Sequence, residues 1–202
     1  MTPTVPITRD IVLIGGGHSH VAVLKRFGMK PEPGVRLTLI TRDLLTPYSG
    51  MIPGYIADHY SEAEAHIDLR PLAAFANARV IHAAATGLDL ERNLVRVDGR
   101  PPVTFDLVSI DSGSSPSTAN IEGAEHGLPA KPIGRFLDGY HQLTRDILDH
   151  DGPFHITVAG GGAGGVELTL ALSNRLGLAA ADLGKTADQL RFTIVEAADT
   201  LL

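Results

Sequence analysis

The chain has 202 residues, 44% of them hydrophobic and 20% charged, with a net charge of −6 and no cysteine. That balance supports a real core in one or two globular domains. It argues against nucleic acid or an anionic membrane as the main partner, and no apolar stretch reaches the ~20 residues of a membrane helix. Without cysteine there is no disulfide, thiolate metal site, redox dithiol or Cys nucleophile. Met1 to Asp10 lacks the basic start and long apolar run of a signal peptide, so the chain reads as cytoplasmic.

Asp10 to Ile14 is a short apolar run that ends in three glycines, as a parallel strand buried on both faces does. His18 to Phe27 has helical spacing, with Gly28 at its end, and Pro31 to Gly34 is a turn. Val35 to Ile40 is the next strand, which closes a βαβ unit with a glycine-rich first turn. Thr46 to Gly54 is broken by Gly and Pro and predicts irregular chain. A helix is expected over Leu69 to Ala76. Val80 to Ala85, Leu94 to Val97 and Val103 to Phe105 predict a small β-meander, with turns at Asn93 and Asp98-Gly99. Leu107 to Ile110 is a further buried strand that runs into Ser112-Gly113. Ile133 to Leu148 predicts a helix with Phe136, Leu137, Tyr140, Leu143, Thr144 and Ile147 on one face. Then the unit repeats: strand Ile156 to Ala159, glycines Gly160 to Gly165, helix Val166 to Leu176 and strand Phe192 to Glu196. A polar, Ala-rich insertion over Gly177 to Gln189 is expected between that helix and strand.

The second glycine run has the sharper spacing. Gly160-x-Gly162-x-x-Gly165 follows a strand and opens a helix, as a dinucleotide turn requires. The first Gly allows the tight turn, the second lets backbone approach a pyrophosphate, and the third lets helix and strand pack closely. The helix start offers N–H donors and a positive dipole end. Glu196 closes the second strand, where a carboxylate accepts from an adenosine ribose diol and repels a 2′-phosphate, favouring NADH. The first run is less complete. Gly15-x-Gly17 is present, but His20 stands at the third-glycine position. Thr41 stands at the acidic one, with Asp43 two places on. His18 and His20 invite a metal-hydrolase reading, although no nearby carboxylate completes a metal site and none is expected. The other reading packs His20 at the helix start.

The order of these features resembles the FAD/NAD-dependent pyridine-nucleotide oxidoreductases: an FAD-type βαβ unit, a meander, a strand ending in a small-residue turn, then an NAD-binding domain. Phe105-Asp-Leu-Val-Ser-Ile-Asp-Ser-Gly113 is similar to the family's aromatic-Asp-x-Leu-Val-x-Ala-Thr-Gly stretch, with Asp111-Ser112 in place of Ala-Thr. A narrower likeness rests on four segments. They are Gly15-Gly-Gly-His-Ser-His-Val21, Thr46-Pro-Tyr-Ser-Gly-Met-Ile-Pro-Gly54, Lys131-Pro-Ile-Gly-Arg-Phe-Leu137 and Gly160-Gly-Gly-Ala-Gly-Gly-Val-Glu167. These resemble the NADH dehydrogenase-like flavoproteins, in particular the branch fused ahead of selenide, water dikinase.

The resemblance implies an α/β, Rossmann-like FAD/NAD(P)-binding fold. It has a parallel sheet, helices on both faces, a small β-meander and an incomplete second unit. The expected domains are 1–130 (FAD), 131–154 (connecting helix) and 155–202 (start of the NAD(H) domain). By resemblance, Gly15, Gly17, His18 and Ser19 lie along the FAD pyrophosphate, and Thr41 and Arg42 lie by its adenosine. Ala85 meets adenine through its backbone. Pro47, Tyr48 and Ser49 pass near the isoalloxazine, and Ser112 and Gly113 close over the cofactor. Tyr48 reads equally as a packed loop aromatic. Gly160, Gly162, Ala163, Gly164, Gly165 and Glu196 hold NAD(H). Glu167 faces the nicotinamide end or is an acid favoured by the helix dipole.

The implied activity is hydride transfer from NADH to FAD, then electron transfer to a small-molecule acceptor, with a quinone the first expectation. No acid or base is nominated. The chain stops at Thr200-Leu-Leu202, after the second strand of its second unit, so a fragment is expected. Its missing C-terminal half or a fused selenide, water dikinase domain would be a partner, and the full-length form could sit peripherally on a membrane. The rival reading is a truncated, non-catalytic nucleotide-binding module.

Overall fold

The structure is a computed structural model that describes residues 5–115, 117–118, 121–184, 186 and 189–202. In chain order the elements are β1 (Arg9–Ile14), α1 (His18–Met29), β2 (Val35–Thr41), β3 (Leu45–Pro47), α2 (Ile52–Ile56), α3 (Glu62–Ala65), β4 (His66–Asp68), α4 (Leu69–Phe75) and β5 (Arg79–His82). They continue with β6 (Ala85–Asp89), β7 (Leu94–Val97), β8 (Arg100–Thr104), β9 (Leu107–Ile110), α5 (Ile133–Asp149), β10 (Phe154–Ala159), α6 (Ala163–Asp182) and β11 (Leu190–Val195). Two compact units result: residues 1–46 with 66–114, and residues 47–65 with 115–202.

The first unit is built on a parallel sheet in the order β5-β2-β1-β9. Side chains alternate across it, as the two-residue period of a strand dictates. Leu13, Leu37 and Leu39 meet Leu24 of α1 and Leu69 and Ala76 of the α4 segment in one cluster. Val12 and Ile40 meet Val95, Val97, Val103 and Phe105 in another. Both faces are thus covered, which is why Ile11 to Ile14 of β1 read as an unbroken apolar run, while β2 carries Arg36 and Thr38 between its apolar residues. Helices cover one face and the β6-β7-β8 meander covers the other. The α/β fold with its parallel sheet stands as expected, with the meander in place of helices on that second face of this unit. Fully burying one such leucine contributes about 1.5–3 kcal/mol.

The expected strand over Val80 to Ala85 is two strands. Arg79–His82 is β5, parallel to β2 with Thr41 opposite His82. The chain breaks at Ala83, whose N–H donates to the Thr41 carbonyl at 3.0 Å, and β6 opens the meander at Ala85. Short alanines carry no alternating pattern, so the handover between sheets left no mark in the sequence. Asn93 (φ 52°) and Gly99 (φ 59°) make the turns expected of them.

The second unit contains the parallel pair β10–β11, in register from Phe154↔Leu190 to Ala159↔Val195. Its core joins Ile52 and Ile56 of α2, Phe136, Leu137, Tyr140 and Ile147 of α5, Ile156 of β10, and Ala171, Leu172 and Leu176 of α6. Two expectations change here. Residues 49–56 are regular after all, a 3₁₀ turn over Ser49–Met51 followed by α2. Pro53 sits in the first turn of α2, where its missing N–H costs nothing. And α6 runs to Asp182, through Gly177, rather than stopping near Leu176. One glycine costs a helix about 1 kcal/mol. The Leu and three Ala that follow favour helix, and Ala180 is buried. The helix ends at Asp182, and Gly184 just beyond its C-cap Leu183 lies in the left-handed region at φ 72°.

Candidate functional site

The first glycine turn joins β1 to α1. Gly15 has φ 93°, and a Cβ on it would overlap the carbonyl oxygen of Asp111 at the end of β9. Left-handed backbone and close approach both require glycine here. Its N–H donates to the Ile40 carbonyl at 2.8 Å, tying the turn to β2. Gly17 is the N-cap of α1, and a Cβ there would overlap the Asp111 carboxylate. That carboxylate occupies the helix start: Asp111 Oδ2 accepts from the Ser19 N–H at 3.1 Å and the His20 N–H at 3.3 Å. The first amides of a helix lack intrahelical acceptors, and its positive end favours an anion. The residue after β9 therefore caps α1.

His20 is only 1% exposed. Its Nδ1 lies 2.7 Å from the Gly15 carbonyl oxygen and its Nε2 2.9 Å from Ser109 Oγ. A carbonyl only accepts, so Nδ1 carries the proton, and the Ser109 hydroxyl is placed to donate to Nε2. Both ring nitrogens are used inside the fold. Of the two readings weighed for His20, these bonds fit packing at the helix start rather than a metal ligand. Among the described residues no group of three or more His, Asp or Glu is arranged to hold a metal ion.

The other residues expected at the first cofactor divide between the units. His18 and Ser19 are exposed at the start of α1. Thr41 ends β2, buried, with its hydroxyl donating to the Asp43 carbonyl at 3.0 Å. Arg42 is exposed, and its carbonyl accepts from His82 Nε2 at 2.7 Å. Ala85 opens β6, and Ser112 and Gly113 (φ 76°) follow β9, exposed. Gly15, Gly17, Thr41 and Ser112 gather at the carboxyl ends of β1, β2 and β9, the edge at which open parallel sheets bind ligands. Pro47, Tyr48 and Ser49 belong to the second unit. There the Tyr48 N–H donates to the Ala65 carbonyl at 2.8 Å, and the Tyr48 side chain is 44% exposed.

The second turn repeats the first in its backbone. Gly160 has φ 111° and donates to the Val195 carbonyl at 2.8 Å. Gly162 is the N-cap of α6, with no side-chain cap hydrogen bond, and Ala163, Gly164 and Gly165 form the first turn. A Cβ on Gly165 would overlap the Gly160 carbonyl oxygen, so helix and strand touch here as the third glycine allows. Glu196 follows β11. Its Oε2 accepts from the Gly161 N–H, and its Oε1 from the Ala197 N–H at 2.6 Å and the Ala198 N–H at 3.2 Å. These bonds, Gly161's foremost, hold its carboxyl below the usual carboxylate range, so it is an anion at neutral pH. Glu167 lies exposed on α6, five residues beyond the N-cap. A leucine lies over each middle glycine, Leu69 at Gly16 and Leu201 at Gly161.

Sequence reasoning missed Asp111 as a helix cap. Its one signal was an acid standing where a small residue is usual. The Ser109 partner of His20 left no signal. The glycine pattern of both turns fits the phosphates of a dinucleotide. Among the described residues no side chain is recorded on the first amides of α6, whereas in the first turn the Ser19 and His20 amides already hold a carboxylate.

The family model described as pyridine nucleotide-disulphide oxidoreductase matches residues 9–202. No curated protein matches in sequence. Solved structures do match in fold. NDH2 from Plasmodium falciparum in complex with NADH is 18% identical with a TM-score of 0.79, over 96% of this chain and 43% of that one. The sulfide:quinone oxidoreductase of the hyperthermophilic bacterium Aquifex aeolicus is 18% identical with a TM-score of 0.68, over 96% and 44%. A NAD-dependent persulfide reductase from A. fulgidus is 19% identical with a TM-score of 0.67, over 95% and 34%. The chain therefore spans less than half the length of these three solved chains.

Proposed function

The chain belongs to the pyridine nucleotide-disulphide oxidoreductase family, and from that premise we propose that it serves hydride transfer from NADH to FAD, with electrons passing on to a small-molecule acceptor. The carrying observation is the repeat of one backbone device: a strand, a left-handed glycine at Gly15 and at Gly160, and a helix started at Gly17 and at Gly162. Two such turns in one chain match a protein that holds two dinucleotides.

In this reading Gly15, Gly17, His18 and Ser19 line the FAD pyrophosphate, and Thr41, Arg42 and Ala85 lie by the adenosine. Ser112 and Gly113 cover the cofactor, and Pro47, Tyr48 and Ser49 border the flavin ring. Gly160, Gly162, Ala163, Gly164 and Gly165 receive the NADH pyrophosphate at the start of α6. Glu196, charged at neutral pH, accepts from the ribose diol and disfavours a 2′-phosphate. Glu167 stands near the nicotinamide end. A quinone is the acceptor we favour. Its support is the fold shared with a sulfide:quinone oxidoreductase. We read the protein as cytoplasmic, peripheral to a membrane in any longer form. Among the described residues no helix is long and apolar enough to cross one. The four segments that resemble the selenide, water dikinase-linked branch support a fused partner of that kind.

The test is an absorbance spectrum of the purified chain, near-ultraviolet to visible, before and after NADH. Oxidised-flavin bands that bleach with NADH are expected. Flavin bands that stay would assign the chain to a flavin-binding module without NADH turnover. A colourless protein that takes up no added FAD overturns the reading.

A further inference from the structure

We propose that the Asp111 carboxylate is a resident competitor for the dinucleotide pyrophosphate at the first turn, and so sets how tightly this unit holds FAD. The inference rests on the reading of that turn as a flavin site. A pyrophosphate docks on a glycine-turn helix through the amides of its first turn, using the positive dipole end. In this chain two of those amides, of Ser19 and His20, already donate to Asp111 Oδ2 at 3.1 and 3.3 Å. The same carboxylate lies against the α-carbon of Gly17, the glycine whose bare backbone should admit the phosphate.

The placement is built rather than incidental. The Asp111 N–H donates to the Ile14 carbonyl at 2.8 Å, and its own carbonyl lies against Gly15. The residue is clamped between β1 and the turn, half-buried, with its side chain directed at the helix start. An anion placed there must share its donors with a carboxylate and meet like charge at close range, where screening by water is incomplete. Among the described residues the second turn has no counterpart, because Glu196 bonds the Gly161 amide and not those of α6. The chain thus tells its two nucleotides apart at the helix starts: α6 takes a pyrophosphate without competition, and α1 takes one only against Asp111. In exchange, α1 is capped and the turn is held in shape before any cofactor arrives.

The experiment measures FAD and riboflavin affinity by flavin-fluorescence quenching, together with thermal unfolding, for the wild-type chain, Asp111→Asn and Asp111→Ala. Asparagine keeps an acceptor at the helix start without the charge. The expected result is FAD bound about tenfold more tightly by Asp111→Asn, as for removal of one close like charge at a partly exposed site, with Tm nearly unchanged. Riboflavin, which has no phosphate, should bind the two alike. Asp111→Ala should bind FAD more tightly yet melt lower, having lost its cap. FAD binding by Asp111→Asn that is equal to or weaker than wild type overturns the inference and leaves the flavin site standing. An equal gain for riboflavin also overturns it, because the effect would not be one of charge. Failure of all three chains to bind FAD overturns the flavin reading itself, and the inference with it.

Discussion

The two glycine turns are cut to one backbone pattern and finished differently, and the third position of the motif shows why. Gly165 lets α6 press so closely on β10 that its α-carbon abuts the Gly160 carbonyl oxygen. At the matching place in the first unit, His20 reaches the Gly15 carbonyl with its Nδ1 and ties it through Nε2 to Ser109 of β9. Contact between backbones is replaced by a buried side-chain bridge. In this chain the third position is thus filled in two ways, by bare backbone packed on the turn's carbonyl at Gly165 and by a donor to it at His20. The acidic position diverges as well. Glu196 binds the turn with its carboxylate, whereas Thr41 turns its hydroxyl to Asp43.

The comparison breaks most visibly at the third position. Gly165→Ala should cost about 3 kcal/mol, the upper range for forcing atoms into a packed site, because the obstacle is backbone that cannot rotate away. Urea unfolding of the chain measures it, and a change within half a kcal/mol of zero would show that helix and strand do not meet so closely. His20→Ala should cost about 2 kcal/mol, from the lost buried volume and the Gly15 carbonyl left without its donor. If His20→Ala is neutral in the same assay, the bridge does not hold the first turn together.

A functional contrast comes next in size. Glu196→Gln should weaken NADH binding about tenfold, the scale of losing a charged hydrogen-bond acceptor, and narrow the preference over NADPH. Fluorescence titration with both nucleotides checks this. An unaltered ratio would remove Glu196 from the ribose site. The smallest effect is in pH. The Glu196 carboxyl is more acidic folded than unfolded, so on acidification the unfolded chain takes up its proton first. The stability this group contributes is whole above the ordinary carboxylate range and fades as pH falls through that range and below it. Unfolding midpoints of wild type and Glu196→Gln should therefore converge towards acid. Parallel curves would show that the amide bonds to Glu196 do not shift it.

Local pattern was enough to read most of the framework. Ile11 to Ile14 is apolar on every residue because it is covered on both faces, and Val35 to Ile40 is a strand of β-branched and leucine residues broken only by Arg36 and Thr38. Glycines at 15, 17, 160 and 165 mark where backbone must turn left-handed or come close. The face of α5 was legible at helical spacing, with Phe136, Leu137, Tyr140 and Ile147 all buried. These features depend on neighbours a few residues away, so the sequence carries them openly.

Contacts between distant residues decided the rest. Nothing near Asp111 in the chain says that its carboxylate caps a helix 92 residues earlier. Nothing near His20 names Ser109 as its partner. The segment 47–65 stands in sequence between parts of the first unit, yet Ile52 and Ile56 are buried with α5 and α6 of the second. The alanines of 179–181 favour helix, but Gly177 ahead of them reads as a helix end, and packing at Ala180 carries α6 past it. A hydrogen bond or a buried contact has two ends. When those ends are far apart in the chain, neither residue carries a mark of the other until the fold brings them together.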